Sequence, residues 1–497
     1  MIKLIYRIES DYMSKKRMLI VTSVTLSVVT ISLGIVKLYQ TYALSNYIGT
    51  VTDTGIDVYI NDDSYASIPA NGSSNVYYML TNTNPGTVKY GVAYQTTSGV
   101  TVKVYDTSED PATGTIEEND KKYIKLHLEN KNSTNKTIEL STVLGYENGG
   151  DLVVPSGVTL VTDTYTPPPT AAEYITKLYT TASKTTVTNN SITYNTAPSV
   201  SLMNDRLGGT TTDLDGGNIR YYGASPNNYI YFNCSDYSNQ TSSTCETWRI
   251  IGVFDGKLKL IRGSQIGTYS WDNKDTSTGA ESNFGKNDWT TARLMKLLNP
   301  SDYYTTDSND NNLGQGLYYN SASGKCYSGQ NNATVDCNFT STGIKNDITR
   351  NMIAETTYNL GGWNSNTVYP NLMYEKERGT TVYTGRPTTP WTGKIALAYT
   401  SDYGYAADLN QCKDKTLYDY NNSTCTSNNW MKAIITNNGS NSGWLLTPYC
   451  STSSNVWYVY PVGNVYFNYT VYSAFGAVPV LSLSSELGIE SGGGWLK

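Results

Sequence analysis

Few of the side chains that ordinarily perform catalysis occur here in a usable combination. The 497 residues hold one histidine, His127. A Ser/His/Asp or Cys/His centre needs an imidazole beside its nucleophile. His127 instead sits in the run 123–129, which alternates as a strand does, with Leu126 and Leu128 facing in and His127 facing solvent. A zinc site would need a second histidine or clustered C-x-x-C spacing, and the sequence has neither. Glu375 and Glu377 could flank a glycosidic bond. They alternate with Lys376 and Arg378, however, and that context favours a solvated, salt-bridged turn. The acidic run 307–312 could bind Ca²⁺ weakly, but it also reads as a solvated loop. No catalytic residue, metal or cofactor is expected.

Cysteine chemistry is better defined. All seven cysteines follow residue 233, and six fall into close pairs, Cys234/Cys245, Cys326/Cys337 and Cys412/Cys425. Each pair brackets a polar loop that cannot hold itself by packing, and a disulfide closing such a loop typically adds about 2–4 kcal/mol. Three local disulfides are therefore expected, which implies an oxidising compartment. Cys450 is left over, either as a partly buried thiol or as an intermolecular bridge.

The other chemistry on offer is recognition. Residues 449–472 contain six tyrosines, where the chain average would place about two. If 460–464 is a hairpin loop, Trp457, Val459, Val465 and Phe467 share the core face by alternation, while Tyr458, Tyr466 and Asn468 share an exposed one. Rigid rings beside adaptable hydroxyls and amides suit the binding of varied polar ligands. The candidate ligand-binding residues are Tyr458, Tyr460, Tyr466, Asn468, Tyr469 and Tyr472. A tyrosine-rich chain could equally expose such rings everywhere.

These groups need elements to position them, and the first decides where the chain lives. Residues 18–36 run without a charge, long enough to cross a bilayer, with Lys3, Arg7, Lys15, Lys16 and Arg17 before them and no Lys or Arg between Lys37 and Lys89. The expectation is a cytoplasmic basic tail (1–17) and a transmembrane signal anchor (18–39), with the bulk of the chain extracellular. Small residues at 41–43 leave cleavage by a signal peptidase open. Residues 46–163 read as a β-sandwich, an immunoglobulin-like stalk, with strands near 49–60, 75–81, 87–95, 100–105, 123–129, 137–146 and 158–162. A Pro-rich linker (164–172) contains Pro167, Pro168 and Pro169 and marks a domain boundary. A helix over 171–182, with Tyr174, Leu178 and Ile175 on one face, opens a connecting segment (173–200).

The last domain, 201–497, mixes both periods and reads as α+β. Helices are expected at 289–298, within 343–358 and at 430–435, capped by Asn287/Asp288 and Asn428/Asn429. Strands are expected at 229–232, 248–254, 257–262, 394–399, 444–446, 457–459, 465–467 and 478–483. Asp255-Gly256 joins two of them as a tight hairpin.

Composition narrows the partners. Tyrosine occurs 44 times against 6 phenylalanines, and charged residues make up 16%, so solubility comes from hydroxyls and amides, as is frequent in secreted bacterial proteins. The net charge is −6, and no basic cluster follows the N-terminal tail, so nucleic acid is not an expected partner.

Several blocks occur in order across 249–483. They are Trp248-Arg249-Ile250-Ile251-Gly252, WTTARLMKLLN at 289–299, Lys394-Ile395-Ala396-Leu397 followed by Ser401-Asp402-Tyr403-Gly404, Trp444-Leu445-Leu446-Thr447-Pro448, and GAVPVLSL at 476–483. This order resembles C-type-lectin-like domains of Gram-positive gut-bacterial surface proteins, whose fold is related to that of formylglycine-generating enzymes and of retroelement-diversified receptors. The resemblance implies a binding domain, with the diversified site of those receptors corresponding to 449–472. It implies no enzyme, since no cysteine pair has a copper-type arrangement. The Glu-Pro-Asn and Gln-Pro-Asp tripeptides of calcium-dependent lectins are absent. No sortase-type ending occurs either, which fits an anchor at the N-terminus.

The expected function is a non-enzymatic surface receptor or adhesin that binds an extracellular glycan or protein. The alternative is a structural fibre or layer component assembling through its modules, and an extracellular hydrolase comes third.

Overall fold

Period-two alternation dominates between residues 65 and 165, and it builds two facing sheets. The computed structural model describes residues 47–487 apart from 52–55, 61–64, 83–85, 146–151, 153, 207–216, 275–283, 306–312, 384–385, 388–389 and 486. The basic tail, the apolar stretch 18–39 and the acidic run 307–312 lie outside the described residues. Among the described residues, no helix is long and apolar enough to cross a membrane. The chain is β-rich, with seven short α-helices among the described residues, and divides into two compact units, 1–167 and 168–497. The break falls inside the expected proline linker.

In the first unit, Tyr65–Ile68, Val88–Gln95, Thr113–Ile116, Lys136–Gly145 and Val158–Leu160 form one sheet. Gly72–Thr81, Val100–Tyr105, Lys121–Asn130 and Thr164–Tyr165 form the other. Val76, Tyr78, Leu80, Leu126 and Leu128 meet Tyr90, Val92, Ile138 and Leu140 between them, as a sandwich core requires. Three of these strands, Tyr65–Ile68, Thr113–Ile116 and Thr164–Tyr165, were not expected from the sequence, and the last of them falls in the expected linker.

His127 corrects an expectation. It is 5% exposed, because Thr164–Tyr165 pairs parallel to Val100–Tyr105 and lays Tyr165 flat on the imidazole at 3.6 Å. Its Nδ1 meets Asn75 Oδ1 at 2.7 Å and its Nε2 lies 3.5 Å from Glu129. Burial lowers its pKa against the pull of Glu129.

The second unit opens with the helix Ala171–Thr181, fixed by a capping box in which Thr170 Oγ1 accepts from Glu173 N and Glu173 returns a bond to Thr170 N. It buries Ala171, Ala172, Ile175 and Tyr179 and leaves Tyr174 41% exposed, so the inward face is rotated from the one expected. Ala171 N also donates to Leu487 O at 2.7 Å, which ties the start of this unit to its last described residues.

A nine-stranded sheet forms its framework. Thr185–Asn189, Ile192–Ala197, Leu202–Asn204, Ile219–Tyr221, Glu246–Phe254, Lys257–Arg262, Val480–Ser482 and Ile395–Ala396 succeed one another, with Tyr229–Phe232 also paired to Glu246–Phe254. Within the expected helix-and-connector segment 173–200, Thr185–Asn189 and Ile192–Ala197 are therefore strands of this sheet. Asp255 and Gly256, at φ 49° and 70°, make the expected tight turn. A bulge at Ile250/Gly252 brings the Ile219 carbonyl to within 2.1 Å of where a Gly252 Cβ would stand, so no larger residue fits.

A five-stranded sheet of Thr268–Tyr269, Phe475–Gly476, Gly443–Pro448, Val456–Val459 and Val465–Tyr466 completes the core. Trp271 and Trp444 are fully buried and tie the core together by donating from their indole N–H groups to Leu445 O and Tyr269 O.

The expected helices shorten. The run 289–298 splits into a 3₁₀ turn, Trp289–Thr291, and a helix, Arg293–Leu298, because Ala292 is extended. Within 343–358 only Asp347–Met352 is helical, capped by Asn346, and Thr356–Tyr358 is a strand. Of 394–399 only Ile395–Ala396 is a strand, and the helix Thr400–Tyr405 follows at once. Trp430–Ile435 stands as expected, capped by Asn429.

Candidate functional site

The hairpin of Val456–Val459 and Val465–Tyr466 carries the expected recognition residues. Trp457, Val459 and Val465 are buried in one core and Phe467 packs against it, as alternation predicted. The opposite face differs from expectation. Tyr458 is 1% exposed, because a second core lies on that side of the sheet. Its ring is 5.0 Å from Phe475 and edge-on to Trp444 and Tyr469, and its hydroxyl donates to Asn468 Oδ1. Burial raises the pKa of that hydroxyl, and the neighbouring tyrosines add to the effect.

Tyr458 is thus the floor of an aromatic cluster. Tyr460 is 40% exposed, Tyr469 46% and Val462 51%, and Asn468 is exposed beside them. Tyr466 is half-buried, edge-on to Tyr460 at 5.6 Å and to Tyr418 at 4.8 Å. Tyr469 stands edge-on to Phe475 at 5.3 Å. Tyr472 is half-buried, 5.5 Å from the exposed ring of Phe284. Perpendicular contacts of this kind immobilise rings without covering them.

A second polar constellation was not anticipated. Asp402, 1% exposed, accepts from Arg220 Nη1 at 2.8 Å, from Lys259 Nζ at 2.5 Å and from Tyr399 N at 3.0 Å. Arg220 Nε also pairs with Asp205. Burial pushes Asp402 up, but Lys259 and Arg220 overcome it and hold the carboxyl at about 2. Arg220 lies in the strand Ile219–Tyr221 and Lys259 in Lys257–Arg262, so charged side chains in apolar strands were the available signal.

Glu375 and Glu377 separate. Glu375 is exposed and pairs with Lys376 at 2.8 Å. Glu377 is fully buried, which corrects the solvated turn, because the helix Pro370–Glu377 packs on Thr400–Tyr405. It accepts from Ser401 N at 3.0 Å, Thr447 Oγ1 at 2.7 Å and Ser401 Oγ, with Arg378 Nη1 3.3 Å away. Burial raises its pKa against these contacts. Ser401 and Glu377 are both sealed, so their contact joins two helices and reaches no substrate.

The three expected disulfides, Cys234–Cys245, Cys326–Cys337 and Cys412–Cys425, are all formed. Cys450 is half-buried and lies outside them. A scan against protein-family models, a search of curated proteins and a search of solved structures each found no match to this chain.

Proposed function

We propose that the second unit is the binding head of a surface receptor or adhesin, held at the membrane by 18–39 and presented by the sandwich unit as a stalk. The reading is non-enzymatic, and its fold-level expectation is a C-type-lectin-like domain. The observation that carries it is the hairpin surface, where Tyr460, Tyr469 and Asn468 are exposed, Tyr469 held edge-on by the buried Tyr458 and Tyr460 edge-on by Tyr466. Ring faces fixed in place meet the C–H faces of a sugar at little entropic cost, and the amide answers its hydroxyls. A glycan is therefore the first ligand class. Val462, 51% exposed at the hairpin tip, favours a protein as the second. Three disulfides support an oxidising exterior as the setting.

The test replaces Tyr460, Asn468 and Tyr469 by Ala together and leaves Tyr458 intact. The expected result is a folded variant whose melting temperature falls by no more than loss of the Tyr458–Asn468 hydrogen bond accounts for, with loss of glycan-array signal or of attachment to cells. Retained attachment in the folded triple variant overturns the reading.

A further inference from the structure

A second cavity, of about 310 Å³, opens elsewhere on this unit between the strands Tyr229–Phe232, Glu246–Phe254 and Lys257–Arg262 and the helix Trp430–Ile435. Tyr229, Glu246, Thr247, Arg249, Arg262 and Ser264 line it. Its volume suits one sugar ring.

Arg249 sets its chemistry. The residue is 7% exposed, and among the described residues its guanidinium pairs with no carboxylate. Nε donates to Asn228 Oδ1 and Nη2 to Pro226 O, both neutral acceptors, no acceptor for Nη1 stands among the described residues, and the residue lines the cavity. The guanidinium lies over the rings of Tyr229, at 3.9 Å, and Trp430, at 4.7 Å. Three other buried cations of this unit do have carboxylate partners. Arg220 has Asp205 and Asp402, Lys259 has Asp402, and Arg262 has Glu246. Glu246 is engaged elsewhere, accepting from Arg262 Nε at 3.0 Å, Arg262 Nη2 at 3.2 Å and Trp248 Nε1 at 3.0 Å, and among the described residues it makes no ion pair with Arg249. The cavity thus holds two guanidiniums against one committed carboxylate, a surplus of one positive charge.

A buried guanidinium without a counter-ion is costly to maintain. Ring stacking and neutral acceptors offset part of that cost. They leave a preorganised, half-satisfied fork, which is the arrangement that recognises a planar anion. Tyr229 is 56% exposed, so this ring, held from one side by the guanidinium, presents a free apolar surface next to the charge.

We infer that this cavity binds the carboxylate of a sugar acid, such as a uronic or sialic-type residue, with Arg249 taking the carboxylate and Tyr229 taking the ring. The site is separate from the hairpin surface and does not depend on it.

The test titrates the full-length chain calorimetrically with glucuronate, N-acetylneuraminate, neutral glucose, acetate and a glutamate-containing peptide. Saturable binding of a sugar acid at least tenfold tighter than glucose or acetate is expected, weakening as salt rises. Arg249→Gln should reduce sugar-acid affinity at least tenfold. Because Arg249 is buried, Thr247→Asp provides a second arm. Thr247 is exposed at the rim, so an added like charge should cost at least tenfold with the melting temperature preserved. Tyr460→Ala with Tyr469→Ala should leave sugar-acid binding unchanged, which separates this site from the hairpin reading. Equal binding of glucose, tighter binding of the peptide, absence of sugar-acid binding, or undiminished binding in folded Thr247→Asp would each overturn the assignment.

Discussion

Replacing Asp402 by Asn probes the buried ionic knot directly. Asp402 joins Arg220, Lys259 and the Tyr399 amide from a site 1% exposed. A carboxyl held at about 2 against its ordinary 3.8 contributes roughly 2–3 kcal/mol near neutral pH. Removing it costs more than that, because Lys259, 5% exposed and already pushed down by burial, loses its counter-ion and must either stay charged or give up its proton, and such breaks cost about 3–5 kcal/mol. An Asn oxygen can still accept from one donor, but its NH₂ then turns toward Lys259 or Arg220. At about 2 °C per kcal/mol, Asp402→Asn should lower the melting temperature of the second unit by about 6–10 °C.

The pH dependence carries a definite sign. The folded pKa is depressed, so this stabilisation is present above about 3.8 and is lost as pH falls through about 2. Asp402→Asn should flatten that acid limb. Pairing Asp402→Leu with Lys259→Met removes both charges and should restore more than half of the loss, since Arg220 retains Asp205. Thermal unfolding of the full-length chain between pH 2 and 7 reads all three effects. A fall below about 2 °C in Asp402→Asn, or strict additivity in the double variant, would refute the reasoning.

Tyr458→Ala should cost about 3–5 kcal/mol by emptying the aromatic floor, while Tyr469→Ala, at an exposed ring, should cost under about 1 kcal/mol; denaturant titration compares them. In the sandwich unit, burial depresses the folded pKa of His127, so its contribution is present above about 6.5 and is lost as pH falls through the lower folded value. His127→Phe should remove that acid step, and an unchanged pH profile of melting would argue against it. Non-reducing digestion and mass mapping should return Cys234–Cys245, Cys326–Cys337 and Cys412–Cys425, and reduction should lower the melting of the second unit while sparing the first.

What the sequence discloses follows the range of the forces involved. Local signals read well. The Asp255-Gly256 turn, the proline boundary, the Asn429 cap and the cysteine pairs each depend on neighbours within a dozen or so residues. Errors arose where a distant segment covered a face that alternation left open. Tyr165 reaches His127, the core containing Trp444 and Phe475 receives Tyr458, and Thr447 with Ser401 closes over Glu377. Alternation reports that two faces differ, but it cannot report that both are buried. Arg249 was legible only as part of the Trp-Arg-Ile-Ile-Gly block, since the lack of a counter-ion is a property of its surroundings.

The bond between Ala171 N and Leu487 O has a topological consequence. Because residues 171 and 487 lie side by side, the stretch between them can be handled like a loop and spliced into a host chain without forcing the host's own ends apart. The same closure would let a short linker join 171 to 487 and new termini be cut at the Tyr460–Asn464 turn, a permuted chain in which the hairpin surface becomes two free ends.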